Sequence, residues 1–142
     1  MRTLENNFVA MGLDFGEKRI GVSVSHLEGK IGLPHSIITY KKVDIAFKEI
    51  SQIIFDNKVN IIVLGIPLTM RNEIGHKAKE VLEFKNLLEM RIDIEVVLED
   101  ERLSTKHAKQ STSKNSKNKF VDDSSATIIL NSYLERRLNE NK

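Results

Sequence analysis

Acidic residues fall at three places where the chain changes character. Asp14 closes an apolar run, Asp100 and Glu101 follow another, and Asp122 and Asp123 open a helical pattern. Adjacent strand ends in a sheet lie about 5 Å apart, so acids distant in sequence can meet at one sheet edge. Three carboxylates brought together repel one another unless a cation sits among them. Hard oxygen ligands select Mg²⁺ or Mn²⁺. With two such ions, a carboxylate cluster can activate water and stabilise the leaving oxygen in phosphodiester cleavage. Each acid also has a plainer reading: Asp14 as a turn former before Gly16, Asp122 as a helix N-cap, and residues 99–101 as surface charges beside Arg102.

Cations near these acids suit phosphate. Lys18 and Arg19 follow the Asp14 turn, and they read either as phosphate contacts or as a charged hairpin tip. Arg102 could hold a phosphate bidentately or pair with Glu101. Ser104 and Thr105 suit a phosphate contact or, more simply, a helix cap. Residues 106–119 (KHAKQSTSKNSKNK) carry five lysines and no acid, a composition that predicts a solvated, mobile basic loop. Lys114, Lys117 and Lys119 in that segment are candidate nucleic-acid contacts, since basic segments attract phosphate backbones. The histidines at 26, 35, 76 and 107 show no metal-ligand spacing and read as surface or loop residues.

The elements that must position these groups follow from hydrophobic periodicity. Phe8 to Leu13 reads as a buried strand, and Arg19 to Ser25 as a second, with Ile20, Val22 and Val24 at period two. A turn at Gly32 and Pro34 leads into a third strand ending near Tyr40. Short links make these three an antiparallel meander. From Asp44, a plausible N-cap, to Asn57 the pattern turns helical. Asn60 to Ile66 is a continuous apolar run, as in a strand covered on both faces. Gly75 to Met90 is helical, Ile92 to Leu98 is a strand that runs into the acids, and Asp122 to Leu138 is an amphipathic helix. The order β-β-β-α-β-α-β-α predicts a single α/β domain: a mixed five-stranded sheet flanked by helices, with right-handed parallel crossovers in its second half.

Composition narrows the function. The 142 residues suit one domain, and 22 basic against 20 acidic residues leave a net charge of +2 that points to no partner. The absence of cysteine excludes a disulfide framework, a cysteine-ligated metal and a cysteine nucleophile. Tryptophan is absent and aromatics are 6%, which argues against an extended aromatic stacking surface. No apolar run approaches the roughly 18–20 residues of a membrane span, and the first ten residues hold no secretory segment.

Four motifs resemble one family: GLDFGEKRIGVSVS (residues 12–25), GIPLTM (65–70), EDERLSTKHA (99–108) and VDDSSATIILNSYLE (121–135) look like the YqgF, or RuvX, family, in that family's order. Thr69 stands where the family usually has asparagine, and Gly75 comes later than the usual glycine. The resemblance implies an RNase H-like fold and a cytoplasmic, metal-dependent nuclease acting on structured nucleic acid, with Mg²⁺ or Mn²⁺ as cofactor. The implied role is 5′-end processing of pre-16S rRNA or a pre-ribosomal particle. Branched DNA, as for a Holliday junction resolvase, is the alternative substrate. Matching the motifs puts the catalytic, metal-holding acids at Asp14, Asp100 and Asp122, with Glu101 as a possible additional ligand. Two other readings compete: an actin-like phosphate loop, for which the chain lacks a second domain, and a non-catalytic module that binds rRNA or pre-ribosomes.

Overall fold

The computed structural model describes residues 8–68, 71, 74–102 and 124–140. Its elements follow the expected order: β1 (Ala10–Phe15), β2 (Arg19–His26), β3 (Ile31–Thr39), α1 (Val43–Asn57), β4 (Ile61–Ile66), α2 (His76–Arg91), β5 (Glu95–Asp100) and α3 (Ser125–Glu140). The five strands form one sheet in the order β3-β2-β1-β4-β5. β1, β2 and β3 pair antiparallel, while β4 runs parallel to both β1 and β5. Among the described residues no helix is long and apolar enough to cross a membrane.

Strand alternation sends successive side chains to opposite faces of the sheet. On one face Met11, Leu13, Ile62, Leu64 and Val96 meet Phe47 and Ile50 of α1 and Val81, Phe84 and Leu88 of α2. Phe84 stacks between Phe15 and Phe47, with ring centroids 4.3 Å and 5.5 Å away. On the other face α3 packs against all five strands. Ile61 and Val63 of β4 meet Ile129, Leu130 and Leu134 there, but at four other positions of this face glycine stands in place of a side chain. A methyl group at Gly12 would sit 2.8 Å from both the Ala126 carbonyl oxygen and the Leu130 Cβ, and one at Gly32 would sit 2.7 Å from a Leu130 methyl. The missing side chains let α3 lie against the strands. The Ser23 hydroxyl donates to the Ala126 carbonyl at 2.7 Å, and Asn131 exchanges hydrogen bonds with the Gly32 backbone.

Several boundaries differ from the sequence reading. Strand β1 runs on through Asp14 to Phe15, and β3 already begins at Ile31, so Gly32 and Pro34 lie within the strand and not in a turn before it. Helix α1 starts at Val43, with Lys42 in the cap position, so Asp44 sits in the first turn. There its charge faces the positive end of the helix dipole, and it pairs with Arg91 at 2.8 Å. Strand β5 continues through Asp100, which makes Glu99 a strand residue. The boundary of α3 differs too: its first described turn is capped by Ser124, to whose hydroxyl the Thr127 N–H donates at 3.3 Å. Asp122 and Asp123, read as the start of this helix, lie outside the described residues.

Candidate active site

Asp14 is the fifth residue of β1 and lies on the α3 face, as Ala10 and Gly12 do. On β5 the same face receives Val97 and Glu99. Glu99 is fully buried, where it accepts from the Ser132 hydroxyl at 2.8 Å and from Arg136 at 2.6 Å and 3.1 Å. It is therefore an anchor for α3 rather than a surface charge. Two residues on, Glu101 returns to the same side, just after the strand ends and a helical turn begins.

Between Asp14 and Glu101 runs β4, and the residue at that point is Gly65. A methyl group there would sit 3.0 Å from a Glu101 carboxylate oxygen and would collide with Ile129. Glu101 thus reaches toward Asp14 through space that only glycine leaves open. The charge of Asp14 acts on Glu101. Burial, then the charge of Asp14, pushes the Glu101 carboxyl above the usual carboxylate range. Burial also raises Asp14, opposed by Lys77 and by a hydrogen bond from Ser125.

Asp100 has a different setting. It is the last residue of β5 and alternates away from Glu99. Arg102 holds it through the backbone N–H at 2.9 Å, through Nε at 3.1 Å and through Nη2 at 2.8 Å. These hydrogen bonds keep its carboxyl below the usual range. Of the two candidates left open by the motif, Glu101 is the one whose charge couples to Asp14.

The turn that follows Asp14 is pinned from β3. The Tyr40 hydroxyl donates to the Gly16 carbonyl at 2.6 Å, and the Tyr40 N–H donates to the Lys18 carbonyl at 3.1 Å. A side chain at Gly16 would press on the Arg19 carbonyl, which explains the glycine in so tight a turn. Lys18 and Arg19 are both exposed there, and Arg19 lines a cleft of about 630 Å³ that opens beside Asp14. Lys114, Lys117 and Lys119 lie outside the described residues.

Two site residues escaped the sequence reading. Lys77 stands in the first turn of α2, lines the same cleft and acts electrostatically on both Asp14 and Glu101. An isolated antiparallel bridge joins Leu68, after β4, to Ile74, just before α2. Ser125, the first residue of α3, hydrogen-bonds Asp14. No periodicity marks either residue; only the VDDSSA motif around Ser125 gave a signal.

Among the described residues no three acidic or histidine side chains gather closely enough to hold an ion. Asp14 and Glu101 supply two hard-oxygen donors, and Asp122 lies outside the described residues. The pair fits a divalent cation chemically, because burial disfavours both charges, Asp14 further disfavours that of Glu101, and a cation would relieve them.

A family model described as RuvX, Holliday junction resolvase, matches residues 8–136. The chain belongs to this family. A relative from onion yellows phytoplasma (strain OY-M) is 39% identical over 100% of this chain and 99% of its own. One from Staphylococcus haemolyticus is 36% identical over 88% and 94%. Both carry the name "Putative pre-16S rRNA nuclease". Among solved structures, RuvC of Thermus thermophilus in complex with a Holliday junction substrate superposes with a TM-score of 0.65, at 13% identity, over 93% of this chain and 96% of that one. A second RuvC structure from Thermus thermophilus gives 0.62 at 12% identity. The RuvX chain described here thus has the RNase H-like fold that its motifs implied.

Proposed function

We propose that this RuvX-family protein is a divalent-metal-dependent nuclease that hydrolyses phosphodiester bonds of structured nucleic acid, with the 5′ extension of pre-16S rRNA as its substrate. The observation that carries this reading is the approach of Glu101 to Asp14 over Gly65, with Asp14 at the edge of a cleft that Arg19 and Lys77 also line. The relatives named for pre-16S rRNA supply the substrate.

In this reading Asp14 and Glu101 hold the cation, and Asp122 is the third donor. A bound Mg²⁺ or Mn²⁺ supplies Lewis acidity and charge neutralisation at the phosphate. Ser125 orients the Asp14 carboxylate by its hydrogen bond, and Tyr40 fixes the turn that ends β1. Lys77 balances the negative pair and meets a non-bridging phosphate oxygen. Arg19 and Lys18 grip the backbone beyond it. The contacts of Asp100 make it a positioning residue that sets Arg102 beside the site. The lysines of residues 106–119 guide the nucleic acid.

The test is cleavage of a 5′-extended 16S rRNA fragment with Mg²⁺ or Mn²⁺, alongside a four-way DNA junction. Asp14→Asn and Glu101→Gln lower the rate about a hundredfold or more while the proteins stay folded. Asp100→Asn costs less than either. Full activity in folded Asp14→Asn protein sinks the mechanism, and metal-dependent cleavage of the junction alone reassigns the substrate.

A further inference from the structure

The cleft beside Asp14 extends away from the carboxylates, toward β3, and its floor is set by cross-strand register. Asp14 pairs with Gly21, and Gly21 pairs with Ile37. These three residues form one row across β1, β2 and β3, spanning about 10 Å between the outer two. The middle position has no side chain, so the row is a hollow with a carboxylate at one end and an apolar side chain at the other. Ala126 of α3 bounds the hollow beside Gly21.

Ile37 is 67% exposed and lines the cleft. Next to it β3 carries a bulge. Val22 pairs with Ser36 and Ser23 with Pro34, so His35 is the extra residue. The bulge shifts the alternation by one, which keeps both Pro34 and Ile37 on the cleft side. His35 also lines the cleft, with Nδ1 2.8 Å from the Ser36 hydroxyl. Bulges often re-aim side chains beside functional sites.

Two cations also line the cleft: Lys77, whose charge acts on Asp14, and Arg19, two residues from Gly21 on β2. One occupant matches this polarity: a nucleotide, phosphate toward Arg19 and Lys77, base toward Ile37, Pro34 and His35. A base held there cannot also be paired and stacked within a duplex.

We propose that the hollow over Gly21 is a subsite for the base of one unpaired nucleotide next to the scissile phosphate, with Ile37 and His35 as its walls. The inference rests on the nuclease reading for the word scissile, and not for the binding itself. It makes the substrate a strand that is single-stranded at the cleavage point, whatever structure flanks it.

The test is binding of a labelled single-stranded RNA 12-mer to the full chain by fluorescence anisotropy, with Ca²⁺ in place of Mg²⁺. An abasic residue is then walked through the oligonucleotide, and the wild type is compared with a protein carrying Ile37→Ala and His35→Ala. Both side chains are exposed, so the fold is retained. Removing one base weakens wild-type binding about tenfold, and the double variant weakens binding of the intact RNA by the same factor. Against the abasic RNA the variant loses nothing further. Independent, multiplying losses, an abasic walk with no effect, or no binding of RNA at all each overturn the subsite. A protein that cleaves with metal yet ignores the missing base keeps the nuclease reading and loses this one. A protein that reads the base but never cleaves does the reverse.

Discussion

The two faces of the sheet are built on opposite rules. Toward α1 and α2 the strands present Met11, Leu13, Ile62 and Leu64, which close on a stack of three phenylalanines. Toward α3 they present Gly12, Gly21, Gly32 and Gly65, with Ser23 and Ser25 between them. The first face stabilises by bulk, since each large apolar side chain buried there contributes about 1.5–3 kcal/mol. The second gives up bulk, and that loss brings α3 close, leaves room for Glu101 over Gly65 and opens the hollow over Gly21. The chemistry gathers where side chains are missing.

The sharpest way to break this contrast is Phe84→Ala. It removes the middle ring of the stack and lowers stability by about 3–5 kcal/mol, read as the urea midpoint. Arg136→Ala comes next. It leaves Glu99 buried with Ser132 as its remaining donor, and it costs about 2–3 kcal/mol, short of the full loss for a wholly buried pair. Gly12→Ala pushes a methyl group against Ala126 and Leu130 and costs about 1–3 kcal/mol. An alanine tolerated at Gly12 would show that the approach of α3 needs no glycine.

The acids give smaller effects of definite sign. Asp14 and Glu101 have raised values in the folded protein, so they bind protons more readily there than in the unfolded chain. Each therefore lowers stability at neutral pH, and the penalty fades as pH falls through the raised folded value to the ordinary carboxylate value. Asp14→Asn and Glu101→Gln raise the melting temperature at pH 7 and leave it unchanged well below pH 4. Asp100 behaves oppositely, because Arg102 lowers its value. Its contribution is present above the ordinary carboxylate value and is lost as pH falls through the lowered one. Asp100→Asn therefore gives a slight fall in melting temperature at pH 7, the smallest effect of the set. Thermal melts across pH 3–8 separate the two signs.

Much of this architecture was legible beforehand. Period-two and helical stripes gave the eight elements of the described residues in order, and Asp14 stood out as an acid closing an apolar run. Which of Asp100 and Glu101 shares a face with Asp14 was not legible, because Val96, Val97 and Leu98 are apolar in succession and hide the parity of β5. A change of that parity exchanges the face each acid sees. Glu99 looked like one more surface acid because its partners, Ser132 and Arg136, lie more than thirty residues away. Lys77 was one of 22 basic residues, and nothing local set it apart. Reading such a site needs the parity of the strand and the residue across from it, which a linear pattern does not carry.

The bulge in β3 has one more consequence. β3 is an edge strand of nine residues, and the exposed backbone of such an edge is a template on which another chain can add a strand. Pro34 has no N–H to offer, and the extra residue His35 throws the next positions out of step. An incoming strand would find its ladder broken midway. The irregularity therefore protects the protein from aggregating edge to edge at the concentrations of a crowded cell.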